Sequence, residues 1–98
     1  MRANVEFSGH GGQLRLDGDM SFDNVDELSR KALSLLKETD SPGLDFAGLR
    51  SFDSSVLVFL LSLVKQVRVD GKALVLSRAS DKLKALMKAY GLEGLLNG

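Results

Sequence analysis

Apolar and polar residues alternate at the start of the chain. Val5 and Phe7 are interleaved with Glu6 and Ser8, and Leu14 and Leu16 with Gln13, Arg15 and Asp17. A period of two marks a half-buried strand. Between the two runs lies Gly9-His10-Gly11-Gly12, a cluster whose glycines accept positive φ, so the runs are expected to form an antiparallel hairpin. After Gly18-Asp19-Met20-Ser21 the period changes. Phe22, Val25, Leu28, Ala32, Leu35 and Leu36 recur at steps of three and four, the stripe of an amphipathic helix. Ser21 is its expected N-cap, and Asp23, Asp26 and Glu27 suit the positive end of the helix dipole. Ser41-Pro42-Gly43 ends that segment, and Leu44-Asp45-Phe46 reads as a third strand. Strand, helix, strand in that order implies a right-handed crossover onto a parallel neighbour.

A loop carrying Gly48 and Arg50 is then expected, followed by Asp53-Ser54-Ser55 and the longest apolar run in the chain. Asp and Ser accept hydrogen bonds from the orphan N–H groups of a helix N-terminus, so a second helix is predicted from here to about Val69. Val56, Leu57, Phe59, Leu60, Leu61, Leu63, Val64 and Val67 cover more than one narrow stripe. Such a helix is either buried nearly all round or keeps a second apolar face for a partner. Asp70-Gly71 closes it, and Ala73-Leu74-Val75-Leu76 reads as a buried parallel strand. Ser80-Asp81 caps a last helix with Leu83, Leu86, Met87 and Tyr90 on one face. Gly91 ends it, and Leu92, Leu95 and Leu96 should dock back on the core.

The chain has 98 residues, so a single domain over 1–98 is expected, large enough for one core without staples. It has no cysteine, which excludes disulfides and thiolate chemistry. Its longest apolar run, Val56 to Leu61, is far short of a membrane span, and Met1 to Phe7 has no apolar h-region, so no signal peptide is expected. A cytoplasmic location without direct membrane insertion is therefore expected. Lys plus Arg and Asp plus Glu are each 13, so the basic excess of a nucleic-acid binder is missing. His10 is the sole histidine and sits in the predicted turn, where it has no partner ligands for a metal. It is also far from Ser54, which leaves that serine without a general base. The glycines at 9, 11 and 12 precede a strand rather than a helix, so they form no phosphate-cradling loop. No catalytic residues, metal or cofactor are expected.

One candidate site remains, Asp53-Ser54-Ser55. Read as capping alone, it has no further role. Read functionally, it exposes a hydroxyl at the positive end of a helix, beside an apolar face, open to a partner or to phosphorylation. A phosphate there would be welcomed by the dipole and opposed by Asp45 and Asp53 if both lie close.

At these residues the chain resembles STAS domains, the modules of sulfate transporters and anti-sigma factor antagonists. Leu44-Asp45-Phe46-Ala47-Gly48-Leu49 followed by Phe52-Asp53-Ser54-Ser55-Val56-Leu57 is similar to their signature, an apolar strand and then Asp-Ser-Ser/Thr-Gly-Leu opening a helix. Gly18-Asp19-Met20-Ser21 is similar to the Gly-Glu-Leu-Asp/Thr before their first helix. The ending Leu83 to Leu92 resembles the small cytoplasmic STAS subunit of Mla-type phospholipid ABC transporters. The resemblance implies an α/β fold, a mixed four-stranded sheet with helices packed largely on one face. It implies a non-enzymatic subunit that binds an ABC transporter ATPase through Asp53, Ser54, Ser55, Val56 and Leu57, with Ser21 and Arg50 nearby. The alternative it implies is an anti-sigma factor antagonist switched by a kinase that phosphorylates Ser54. Val56 stands where the family pattern has Gly, and its bulk is expected to restrict how closely a partner backbone approaches.

Overall fold

The computed structural model describes residues 3–7 and 13–94. The predicted turn with His10 and the tail residues Leu95 and Leu96 lie outside them. The elements follow in the order β1 (Asn4–Phe7), β2 (Gln13–Met20), α1 (Val25–Leu36), β3 (Gly43–Phe52), α2 (Ser55–Val69), β4 (Val75–Ser77) and α3 (Asp81–Ala89). Among the described residues the strands form one sheet in the order β1-β2-β3-β4. β1 and β2 are antiparallel, with Val5 opposite Leu16 and Phe7 opposite Leu14. β2–β3 and β3–β4 are parallel. The sheet is thus mixed, with the helices packed largely on one face.

Alternation along β2 turns Leu14, Leu16 and Met20 toward the helices. There they join Val5, Leu44 and Phe46 from the sheet, and Leu28, Ala32, Phe59, Leu60, Leu63, Leu83 and Met87 from the helices, in one buried cluster. Full burial of such side chains is worth about 1.5–3 kcal/mol each and is the main force holding the layers together. The opposite face of the sheet is polar. It carries Glu6, Arg15 and Asp17, with Asp45 in register beside Arg15.

β3 is longer than the predicted Leu44–Phe46 and takes in both Gly48 and Arg50, which were expected in a loop. Its pairing with β2 slips twice. Arg15 faces Asp45 but Asp17 faces Gly48, and Gly18 faces Leu49 but Asp19 faces Ser51. β3 therefore carries two extra residues against β2, a pair of bulges. At the first, the Asp45 carboxylate accepts the Ala47 N–H at 2.9 Å. At Gly48 a Cβ would lie 2.7 Å from the Leu16 carbonyl oxygen and closer still to the Asp17 carboxylate, so no side chain fits.

α1 starts later than predicted. Ser21 does not cap it; Asn24 occupies the N-cap position. The Asn24 Oδ1 accepts the Ser21 N–H and its Nδ2 donates to the Asp19 carbonyl, each at 2.9 Å. The Ser21 hydroxyl accepts the Asp23 N–H at 3.2 Å instead. The resulting turn carries Phe22 outward, 60% exposed, rather than into the core stripe. β4 is also shifted, to Val75–Ser77, and as the outer strand it leaves Val75 half exposed rather than buried. Tyr90 lies beyond α3 and is exposed. β2 is longer than predicted, running through Gly18 and Asp19 to Met20, whereas the caps of the later helices hold. Ser80 caps α3 by accepting the Leu83 N–H, and Gly71 and Gly91 take positive φ where their helices end.

Candidate functional site

β2 and β3 end side by side, with Met20 opposite Phe52. The two turns that follow are therefore neighbours, one carrying Ser21 and Phe22 and the other Asp53 and Ser54. Asp53 joins them. Its Oδ1 accepts the Ser55 N–H at 2.8 Å, capping α2. The carboxyl sits below the ordinary carboxylate range, held there first by the Ser55 hydroxyl and then by backbone N–H groups, those of Ser55, Asp53 itself and Phe22. The Ser55 hydroxyl lies near enough to favour the charge, yet it is fully buried and makes no aligned hydrogen bond. The positive end of α2 is thus already matched by an internal anion.

This arrangement separates two roles that the triplet Asp53-Ser54-Ser55 could share. Asp53 caps. Ser54 occupies the N-cap position with helical dihedrals, φ −65° and ψ −9°, and its side chain makes no capping hydrogen bond. It is exposed. The hydroxyl is free for something outside the molecule.

The placement of the next residues departs from expectation. Ser55, Val56 and Leu57, expected at a partner surface, are 0%, 0% and 6% exposed. Their side chains face the core, because α2 presents the turn of Val56, Leu60, Leu63 and Val67 to the sheet. Val56 in place of the family glycine accordingly adds bulk inside, where it fills the core. The outward ridge of α2 runs instead through Ser54, Val58, Leu61 and Lys65, at steps of four, three and four. Val58 and Leu61 are 44% and 48% exposed. Phe22, also exposed, stands on the neighbouring turn at the same end of the sheet. Sequence reasoning missed Val58 and Leu61, although a count of four and seven from Ser54 marks both.

Arg50 is exposed at the end of β3 beside Asp19, whose carboxyl is held low chiefly by the Ser51 hydroxyl at 2.8 Å and then by charge, Arg50 included. The Lys82 ammonium lies 5.0 Å from the Phe52 ring centroid, which brings the start of α3 to the same end of the sheet. Asp45 does not belong here. It lies seven residues upstream of Phe52 on β3, roughly 20 Å away at the rise of a strand. Its repulsion of a phosphate on Ser54 therefore drops out, whereas that of the adjacent Asp53 stays.

Two open clefts, ≈ 400 and ≈ 280 Å³, are lined around Pro42 and Val75 and around Asn24 and Lys31, and neither reaches Ser54. Among the described residues no cluster of His, Cys, Asp or Glu is arranged for a metal, and no helix is long and apolar enough to cross a membrane. What Ser54 offers is an exposed hydroxyl with no capping hydrogen bond.

The family model described as "Mlab, STAS domain" matches residues 3–97. The chain belongs to the STAS domain family. Among solved structures, the anti-sigma factor antagonist SpoIIAA in its unphosphorylated form superposes with a TM-score of 0.76 at 16% identity, covering 96% of this chain and 84% of that one. The phosphorylated form of SpoIIAA, a Bacillus cell fate determinant, gives 0.70 at 14% identity, with 96% and 87% covered. A sulfate transporter family protein from Wolinella succinogenes gives 0.70 at 21% identity, with 87% and 70% covered. At these identities the likeness establishes the STAS fold. No curated protein matches the sequence.

Proposed function

We propose that this STAS domain is a non-enzymatic accessory subunit of a bacterial phospholipid ABC transporter of the Mla type, and that it binds the transporter's ATPase subunit through the surface headed by Ser54. The observation that carries the reading is the Ser54 hydroxyl, exposed and released from capping by Asp53, at the head of an exposed apolar ridge. The family description, which names Mlab, supports the transporter branch. Ser54 supplies a hydrogen bond across the interface. Val58, Leu61 and Phe22 supply the apolar area that Val56 and Leu57 were expected to supply. Covering three half-exposed side chains contributes about 1 kcal/mol each. Ser21, Arg50 and Asp53 flank the contact. Catalysis is disfavoured because Asp53, the nearest carboxylate, is committed to backbone N–H groups, and a serine nucleophile needs a free base. On this reading the chain works in the cytoplasm, needs no cofactor, touches no nucleic acid, and reaches the inner membrane only through the complex.

Ser54→Glu tests the reading. It should leave the circular dichroism spectrum and melting temperature unchanged and abolish copurification with the ATPase subunit, since a carboxylate would be desolvated in the contact. Undiminished copurification removes Ser54 from the interface.

The same free hydroxyl supports the second reading, an anti-sigma factor antagonist switched by phosphorylation of Ser54. A phosphate would add about −1.5 to −2 charge beside the fixed Asp53 carboxylate, which an apolar partner surface would have to desolvate, so the contact is lost without unfolding the helix. Intact mass after incubation with the cognate kinase and ATP decides it: one added phosphate supports the switch, and none discards it.

A further inference from the structure

The ridge that begins at Ser54 is graded in charge along its length. From Ser54 to Val69 the helix contains no Asp or Glu, and its two cations, Lys65 and Arg68, are both exposed near its far end. Among the described residues neither takes part in an ion pair. Asp70, which closes the helix, is turned to the flank, where it accepts from Gln66 at 3.3 Å. α1 does not repeat it, since its exposed cations Arg30 and Lys31 lie mid-helix and exposed Lys37 is followed by exposed Glu38 and Asp40. Each of α1 and α2 follows one parallel strand and precedes the next, so both run from the Ser54 end of the sheet to the other. Exposed Asp23 and Asp26 flank the start of α1 at the Ser54 end. The α2 ridge therefore begins beside Asp53, is apolar at Val58 and Leu61 and ends in the cations Lys65 and Arg68, while Phe22, Asp23 and Asp26 share the Ser54 end with Arg50 and Lys82.

Lys65 stands eleven residues from Ser54, about 16 Å along the helix. That is about twice the screening length at physiological salt, so the two ends do not neutralise each other and the cations stay open to a counter-charge on a partner.

We infer that the partner's docking surface is an apolar socket bordered on one side by acidic residues, which meet Lys65 and Arg68 and fix the direction in which α2 lies across it. The inference rests on the proposed docking through the Ser54 surface and adds the partner's chemistry and polarity. A protein is favoured over an anionic bilayer because the Asp53 end would face the same lipid as the basic end, and two cations contribute only about 1 kcal/mol each. A protein of different sequence is favoured over a second copy because Phe22, Val58 and Leu61 offer far less apolar area than an obligate homodimer covers, about 2,000 Å² or more in total.

The test measures association of the purified transporter ATPase subunit with three proteins, the wild type, Lys65→Glu/Arg68→Glu and Val58→Asp, at about 20 mM and about 300 mM salt. The double reversal should slow association about tenfold at low salt and much less at high salt, because charges at an interface rim act mainly through steering. Val58→Asp should abolish binding at both. Loss with Val58→Asp but unchanged association rates in the double reversal overturns the inference and leaves the docking reading intact. Unchanged binding in both variants overturns the two together. Sedimentation of the wild type showing a dimer that Val58→Asp dissolves, or binding to phosphatidylglycerol vesicles that the double reversal removes while ATPase binding is unaffected, also overturns it.

Discussion

Arg78 offers the sharpest test of how the sheet is held. It is a non-glycine residue at positive φ, 55°, directly after β4. A left-handed conformation costs an L-residue about 1–2 kcal/mol, so something must hold it there. The partner is Asp45, whose carboxylate accepts the Arg78 Nε at 3.0 Å and a second guanidinium N–H through its other oxygen. The Asp45 side chain is 3% exposed and the Arg78 side chain 67%. Burial pushes the Asp45 carboxyl up, but the Ala47 N–H and Arg78 more than offset it and the net shift is downward. Removing one member of a fully buried pair costs about 3–5 kcal/mol. Here the guanidinium is mostly in water and the carboxylate keeps the Ala47 bond, so Arg78→Ala should cost about 2 kcal/mol. Arg78→Gly loses the same pair but relieves the backbone, so it should be about 1 kcal/mol more stable than Arg78→Ala, the reverse of the usual order. Urea denaturation followed by circular dichroism measures both. The pH dependence has a definite sign. A depressed carboxyl pKa stabilises above its unfolded value, near 3.9, and that stability is lost as pH falls through the folded value. The difference between wild type and Arg78→Ala should therefore be largest at neutral pH and shrink below about pH 4. If Arg78→Gly proves less stable than Arg78→Ala, the strain argument is wrong. If neither variant loses stability, the ion pair contributes nothing.

Two further substitutions probe the frame around Ser54. Gly48→Ala places a Cβ against the Leu16 carbonyl oxygen and the Asp17 carboxylate, and backbone cannot step aside. A loss of about 2 kcal/mol, or roughly 8–16 °C in melting temperature, is expected by calorimetry. Asn24→Ala removes the hydrogen bonds to the Ser21 N–H and the Asp19 carbonyl. It should cost about 2 kcal/mol in urea denaturation, and should weaken ATPase binding by letting the Phe22 turn drift.

Much of the fold was legible because local signals agreed with it. The hairpin partners Val5 and Leu16, the span of α2 and the Ser80 cap each rest on nearby residues. The third strand was read short because two bulges break the alternation after Phe46, and Gly48 and Arg50 then resemble loop residues. Ser21 has the right chemistry for a cap, but Asn24 competes for the same turn with a side chain that reaches two backbone groups. The motif at Asp53 and Ser54 was visible, whereas the ridge behind it was not. An all-apolar helix offers no contrast between inward Val56 and outward Val58. Only the packing of α2 on the sheet tells them apart. The pairing of Asp45 with Arg78, thirty-three positions apart, left no local trace.

The central claim is that the Ser54 end of α2 meets another protein. A photoreactive side chain placed at Val58, with a control at exposed Lys84 on α3, tests it directly in the presence of the transporter ATPase subunit. The account predicts a cross-linked product from position 58 and none from position 84. Cross-linking from 84 alone, with none from 58, would contradict it.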